Sequence, residues 1–267
     1  MCLILVARDV HPDYALVVAA NRDEFYERPT APAARWEDAP DVLGGRDLQA
    51  GGTWLGIDRS GRFAAVTNYR QGRREAPAPR SRGLLVSEFL TTPVPASAYL
   101  DRVRRDADLY NGFNLIAGDA GELLYFSNRG GPPRALAPGI YGLSNHLLDT
   151  PWPKVAATKG ALRVLLTRGA PELIPGLFGL LADQRQAEDH RLPSTGVSLE
   201  WERLLSAAFI VSDGYGTRSS TVVLVGRDGR IVFEERTFSE GGRPAGTVRS
   251  EFAGPTAAST ERSPMPS

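Results

Sequence analysis

Two apolar runs, Leu3-Ile4-Leu5-Val6-Ala7 and Ala15-Leu16-Val17-Val18-Ala19-Ala20, are separated by a short polar turn carrying Pro12 and Asp13. Runs this short, with no polar residue inside them, read as buried strands, and their spacing makes them a hairpin. A second hairpin is expected from Gly52–Ile57 and Arg62–Tyr69, joined by Asp58-Arg59-Ser60-Gly61, whose residues supply turn chemistry. An Arg-, Pro- and Gly-rich segment at 71–83 reads as an exposed loop. It leads to a helix over about 83–91 and another from Pro95 to about Leu109, stopped by Asn111-Gly112. Strands are expected again at 113–117, 122–127 and 139–143, then helices at about 153–168, 171–182 and 199–205 with a polar loop at 183–197. The last strands are expected at 208–211, 220–225 and 231–236. Blocks of antiparallel hairpins with helices between them predict an α+β domain of sheets packed under helical layers, not a doubly wound parallel sheet. Gly-Gly-Arg-Asp at 44–47 and Gly-Gly-Thr-Trp at 51–54 fit no nucleotide-binding fingerprint.

Composition narrows the function classes. Among 267 residues, 31 basic and 31 acidic side chains cancel, so a dedicated nucleic-acid or anionic-membrane binder is not expected. Only Lys154 and Lys159 among the basic residues are lysines, a bias that a GC-rich genome produces without functional meaning. A hydrophobic content of 42% is enough for an ordinary core. The single cysteine rules out an intramolecular disulfide, a cysteine-built zinc site and an iron–sulfur cluster, and His11, His146 and His190 show no metal-ligand spacing. The opening apolar run is too short for a signal segment and no later run approaches a membrane span, so a soluble cytoplasmic protein is expected. Residues 240–267, rich in Gly, Pro, Ser and Thr, are expected to be a disordered tail behind a single domain at 1–239.

The one cysteine is Cys2. Removal of Met1 is favoured before a small side chain, and it would leave a terminal cysteine carrying both a thiol nucleophile and, in its α-amine, a base that is partly neutral near pH 7. No histidine is needed for such chemistry. The competing reading is a small apolar residue at the start of a buried strand. Four polar segments, each expected to end a strand, supply candidate partners: Asn21-Arg22-Asp23-Glu24, Thr67-Asn68-Tyr69-Arg70, Leu143-Ser144-Asn145-His146 and Gly216-Thr217-Arg218-Ser219-Ser220. Asp23 could hold the α-ammonium, Arg22 could lower the thiol pKa, and Asn68 or Asn145 could donate to an oxyanion, although each also suits an ordinary turn. Arg218 could bind a carboxylate or sit on the surface.

Met-Cys-Leu-Ile at the start, Ala-Ala-Asn-Arg-Asp-Glu-Phe-Tyr-Glu-Arg-Pro-Thr at 19–30, Gly-Gly-Arg-Asp-Leu-Gln-Ala-Gly-Gly-Thr-Trp-Leu-Gly at 44–56, Thr-Asn-Tyr-Arg at 67–70 and Gly-Leu-Ser-Asn at 142–145 together resemble the NRDE family, also called the Transport and Golgi Organization protein two family. The resemblance runs from residue 1 to about 240. It implies the four-layer αββα sandwich of the N-terminal-nucleophile hydrolases, with a pattern similar to the choloylglycine hydrolase and penicillin V acylase group. Carried over by similarity, Cys2 is the nucleophile, Asp23 the carboxylate beside its amine, and Asn68 and Asn145 the oxyanion-site asparagines. Asn21, Arg22, Trp54, Tyr69 and Arg218 are the candidate substrate-binding residues. The acylases place an arginine three residues before the aspartate, where this chain has Ala20. Arg22 is expected to leave the strand on the other face, with Arg218 a candidate for the missing charge. The family is also linked to secretory-pathway organisation, lipid and acyl-CoA metabolism and haem mobilisation. A non-enzymatic carrier of haem or acyl lipid in the same cleft is therefore the alternative to an amide or acyl hydrolase, with His11, His146 or Cys2 as candidate axial ligands. No resident cofactor or metal is expected. The expected partner is a small-molecule amide, an acyl lipid or haem as cargo, without nucleic acid and without stable membrane insertion.

Overall fold

A computed structural model describes residues 2–72 and 78–254. Met1, residues 73–77 of the expected Arg-Pro-Gly loop and residues 255–267 of the expected tail lie outside the described residues. With elements numbered in chain order, one antiparallel sheet has the order β10-β1-β2-β11-β12-β13. Its strands are β1 (Cys2–Arg8), β2 (Tyr14–Phe25), β10 (Gly139–Leu143), β11 (Tyr215–Gly226), β12 (Arg230–Ser239) and β13 (Arg243–Ala253). The other sheet runs β3 (Thr30–Arg35), β4 (Val42–Asp47), β5 (Leu55–Asp58), β6 (Phe63–Asn68), β7 (Phe113–Gly118), β8 (Leu123–Ser127) and β9 (Arg134–Ala135), each strand paired with its sequence neighbour. Helices α1 (Gly83–Thr91) and α2 (Ala96–Arg105) pack on this second sheet, whereas α3 (Pro153–Leu165) and α4 (Ala170–Leu181) cover the first. A short α5 (Leu199–Leu205) precedes β11.

The period of two along each strand divides the core into layers. Ile4, Val6, Leu16 and Val18 point between the sheets against Leu43, Ile57, Phe63 and Ile116. Leu3, Leu5, Val17 and Ala19, from the same strands, point the other way against Val155 and Leu162 of α3 and Leu173 and Leu177 of α4. On the far side Ala64, Val66 and Leu115 meet Leu85 and Phe89 of α1 and Leu100 of α2. Burial on both faces is why β1 and β2 read as unbroken apolar runs. Each such Leu, Ile or Val contributes about 1.5–3 kcal/mol by leaving water. The result is the expected αββα sandwich.

The structure corrects several expected boundaries. The polar segments at 21–24 and 216–220 do not end strands but continue β2 and β11. They stay buried because their side chains bond one another across the ladder: Ser220 Oγ donates to Asn21 Oδ1 at 2.6 Å and Thr217 Oγ1 to Asp23 Oδ1 at 2.7 Å. Residues 208–211 form no strand; Val211 makes one isolated bridge to Gly216, while Ile210 packs with Leu205 and Tyr215. Residues 243–253 belong to no disordered tail, because β13 pairs along the whole of β12 with Phe252 packed against the inter-sheet core. Strands β3 and β4 went unread: Ala-Pro-Ala and Gly-Gly hide a strand in residues of low β propensity.

Candidate functional site

The β1–β2 ladder pairs Cys2 with Arg22, Ile4 with Ala20 and Val6 with Val18. Residues opposite each other in an antiparallel pair share a face, so Cys2 and Arg22 both lie on the face that looks between the sheets. This corrects the expectation for the arginine. Positions 20 and 22 have the same parity, so Arg22 occupies the face on which an arginine at position 20 would lie. Its guanidinium lies 4.3 Å from the centre of the Trp54 ring, reached from the second sheet, and its Nη2 is 3.9 Å from Glu24 Oε2. Trp54 is backed by Gly45, where a Cβ would come within 2.2 Å of the indole Cη2.

Asn145 ties the start of β1 to the end of β6. Its Oδ1 accepts the Cys2 backbone N–H at 3.4 Å and its Nδ2 donates to the Asn68 carbonyl at 2.9 Å, while Ser144 Oγ donates to the Cys2 carbonyl at 3.0 Å. Asn68 lines the cleft in front of Cys2; the fully buried Asn145 stands behind it as a brace. Burial pushes the Cys2 thiol above its ordinary value and the Asp23 carboxylate adds to the rise, while Arg22 and the Asp23 backbone amide pull the other way.

Asp23 points to the opposite, helix-covered face, where Thr217 holds its Oδ1. Burial raises its pKa, opposed first by Lys154. Lys154, at the start of α3, is itself only 4% exposed, and its Nζ has no hydrogen-bond partner among the described residues. Burial lowers the Lys154 pKa, with Asp23 and, more weakly, Cys2 favouring the charged form. Sequence reasoning missed this residue, and the signal available was its rarity as a lysine in an arginine-rich chain. It also missed the buried ion pair of Arg70 Nη1 with Glu202 Oε2 at 2.9 Å, which anchors α5 beside β6 while Arg70 stacks over Trp152.

A cleft of about 110 Å³ opens in front of Cys2, lined among others by Arg22, Glu24, Arg28, Trp54, Asn68 and Arg82. Three of the expected substrate contacts are placed elsewhere. Asn21 shares the face of Asp23, and its Nδ2 donates to the carbonyls of Leu181 and Ala208. Tyr69 turns its hydroxyl to His146 Nε2 at 2.8 Å. Arg218 sits at a bulge where Thr217 and Ser219 oppose Asp23 and Arg22, and its Nη1 donates to the carbonyls of Phe25, Tyr26 and Arg28. It therefore ties down the exit of β2 instead of facing the thiol. The candidate axial ligands are not assembled. His11 lies in the turn at the far end of β1 from Cys2, and both ring nitrogens of His146 have partners, Tyr69 and Thr150. Among the described residues no group of three or more His, Cys, Asp or Glu is placed to hold a metal ion, and no helix is long and apolar enough to cross a membrane.

Two sheets sandwiched between helical layers, with a cysteine opening a central strand, define the N-terminal-nucleophile hydrolase fold. A mutant of the conjugated bile acid hydrolase from Clostridium perfringens superimposes with a TM-score of 0.51 at 9% sequence identity, covering 95% of this chain and 92% of that one. This likeness concerns the fold alone. The chain belongs to the family described as Transport and Golgi organisation 2, which it matches over residues 1–240. It is 40% identical over 260 residues to the human Transport and Golgi organization protein 2 homolog, covering 90% of this chain and 94% of the human protein. It is 29% identical over 263 residues to the Drosophila melanogaster protein, covering 90% and 93%.

Proposed function

We propose that this chain, after loss of Met1, is a cysteine N-terminal-nucleophile hydrolase of linear amides or related acyl bonds. The observation that carries the reading is the setting of Cys2: its thiol faces Arg22 and an open cleft while its backbone nitrogen is held by Asn145. In the proposed reaction the α-amine takes the thiol proton and Sγ attacks the carbonyl carbon. The oxyanion that forms is met by the Asn68 side chain, and a donor of this kind typically contributes about 2.7–4 kcal/mol to transition-state stabilisation. The C–N bond breaks, the leaving amine takes the proton from the α-ammonium, and a thioester remains on Cys2. Water activated by the same amine cleaves the thioester, releasing the acid and restoring the thiol. Asp23, behind the strand, holds the terminal amine in place.

The test is release of free amine from a panel of N-acyl amino acids and simple N-acyl amides by the full chain and by Cys2→Ala. Hydrolysis of any member by the parent and none by the variant supports the reading; equal rates, or no hydrolysis across the panel, count against it.

A further inference from the structure

Helix α1 begins at the cleft. Ser81, Arg82 and Gly83 line its wall, the Gly83 amide donates to Ser81 Oγ at 3.3 Å, and the first turn holds no acidic residue. The helix start reaches the cleft because two glycines let the chain pass there. A Cβ on Gly52 would lie 2.3 Å from the Gly83 carbonyl carbon, and Thr53 N–H donates to the Gly83 carbonyl at 3.2 Å. The amides of this first turn have partners within the chain, Leu84 N–H on the Ser81 carbonyl and Leu85 N–H on the Arg82 carbonyl, so what draws an anion here is the positive end of the helix dipole.

A second, independent feature points the same way. Arg22, 5% exposed, lines the same cleft and has its Nη1 buried with no hydrogen-bond partner among the described residues. An unsatisfied buried guanidinium nitrogen is costly unless something fills it. None of the carboxylates that line the cleft bonds Arg22 Nη1; Glu24 Oε2 lies 3.9 Å from the other terminal nitrogen, Nη2. Asp47 is bound by Arg28 Nη2 at 2.7 Å and by the amides of Gln49 and Ala50. Glu24 accepts from the Phe25 amide and lies 3.9 Å from Arg28, while Asp23 faces Thr217.

We infer that the cleft is an oxyanion-binding subsite: the ligand that reaches Cys2 carries a carboxylate or phosphate group seated between Arg22 and Arg82 at the positive end of α1. This deepens the hydrolase reading by assigning a charged substrate class to the same site, yet its test does not need hydrolysis or removal of Met1.

The test compares alkylation of Cys2 in the full chain by iodoacetate and by iodoacetamide, reagents of one size that differ by a negative charge. Both react with the thiolate, so their rate ratio cancels any change in thiol pKa. The ratio for the parent is expected to exceed that of free cysteine by roughly tenfold, the factor one charge-assisted hydrogen bond contributes. In Arg22→Gln it should fall back to the free-thiol value, and in Arg82→Gln part of the way. Acetate and inorganic phosphate, as separate competitors of the iodoacetamide reaction at constant ionic strength, distinguish the two oxyanions; protection by either supports the subsite. A parent ratio equal to that of free cysteine overturns it. So does a ratio unchanged by Arg22→Gln in a variant whose circular dichroism is native, or a folded protein that reacts with neither reagent.

Discussion

Cys2 and Arg22 face each other across the β1–β2 ladder, and the guanidinium is fixed there by the Trp54 ring 4.3 Å away. The charge therefore reaches the thiol from the neighbouring strand and not from elsewhere in the cleft. Because Arg22 pulls the thiol pKa down against burial, Arg22→Gln should move the midpoint of the pH–alkylation profile for iodoacetamide upward. An unmoved midpoint would show that the arginine does not act on the thiol.

The indole that holds this arginine leans on Gly45. Gly45→Ala places a methyl group where the ring now lies, and overpacking of this kind costs about 1–3 kcal/mol. Urea unfolding should show that loss, together with a slower Cys2 alkylation as the guanidinium loses its support. A variant as stable as the parent would mean that the ring has room to move.

Asn145 braces two backbone segments at once. Asn145→Ala leaves the Asn68 carbonyl and the Cys2 nitrogen without their partner, at about 1–3 kcal/mol for a buried group left unsatisfied. Denaturant midpoints check the stability, and hydrolysis of whichever amide the parent cleaves should drop by about 100-fold as the site loses its alignment. Native stability in this variant would contradict the bracing role.

Lys154 gives a pH-dependent signature. Burial lowers its pKa, so the unfolded chain binds a proton below about pH 10.5 that the folded protein takes up less readily. Its contribution to stability is thus fully present above the unfolded pKa and is lost as pH falls through the window down to the folded value. Replacement by methionine should flatten the dependence of the urea midpoint on pH over the alkaline range. Parallel curves for Lys154→Met and the parent would show that the amine is not desolvated.

The Arg70–Glu202 pair lies where neither side chain is more than 7% exposed. Arg70→Met strands the Glu202 carboxylate and should cost about 3–5 kcal/mol in urea unfolding, and the double variant with Glu202→Leu should recover much of that. Equal losses in the single and double variants would refute the pairing.

How far the chain could be read from its residues follows from which physics dominates each element. The hairpin of β1 and β2, the five helices and the α+β layering were legible because apolar periodicity drives them. Strands β3 and β4 were not, since glycine, alanine and proline carry no such signal and the strands exist through their neighbours' backbone bonds. Asn21–Glu24 and Gly216–Ser220 were read as strand ends because they are polar. Their burial rests on Ser220–Asn21 and Thr217–Asp23 bonds that join residues nearly 200 positions apart. The face of Arg22 was readable from parity alone, once β2 was known to run on to Phe25. Lys154 and Glu202 needed the fold, because nothing in their local sequence announces a buried charge.

Catalysis by a terminal cysteine is read out by the intact mass of the purified protein before and after exposure to an acylating probe. The expected mass is that of a chain that begins at Cys2 and gains one acyl group, with no gain in Cys2→Ala. A mature chain that keeps Met1 would leave no cysteine amine to act as base and would contradict it.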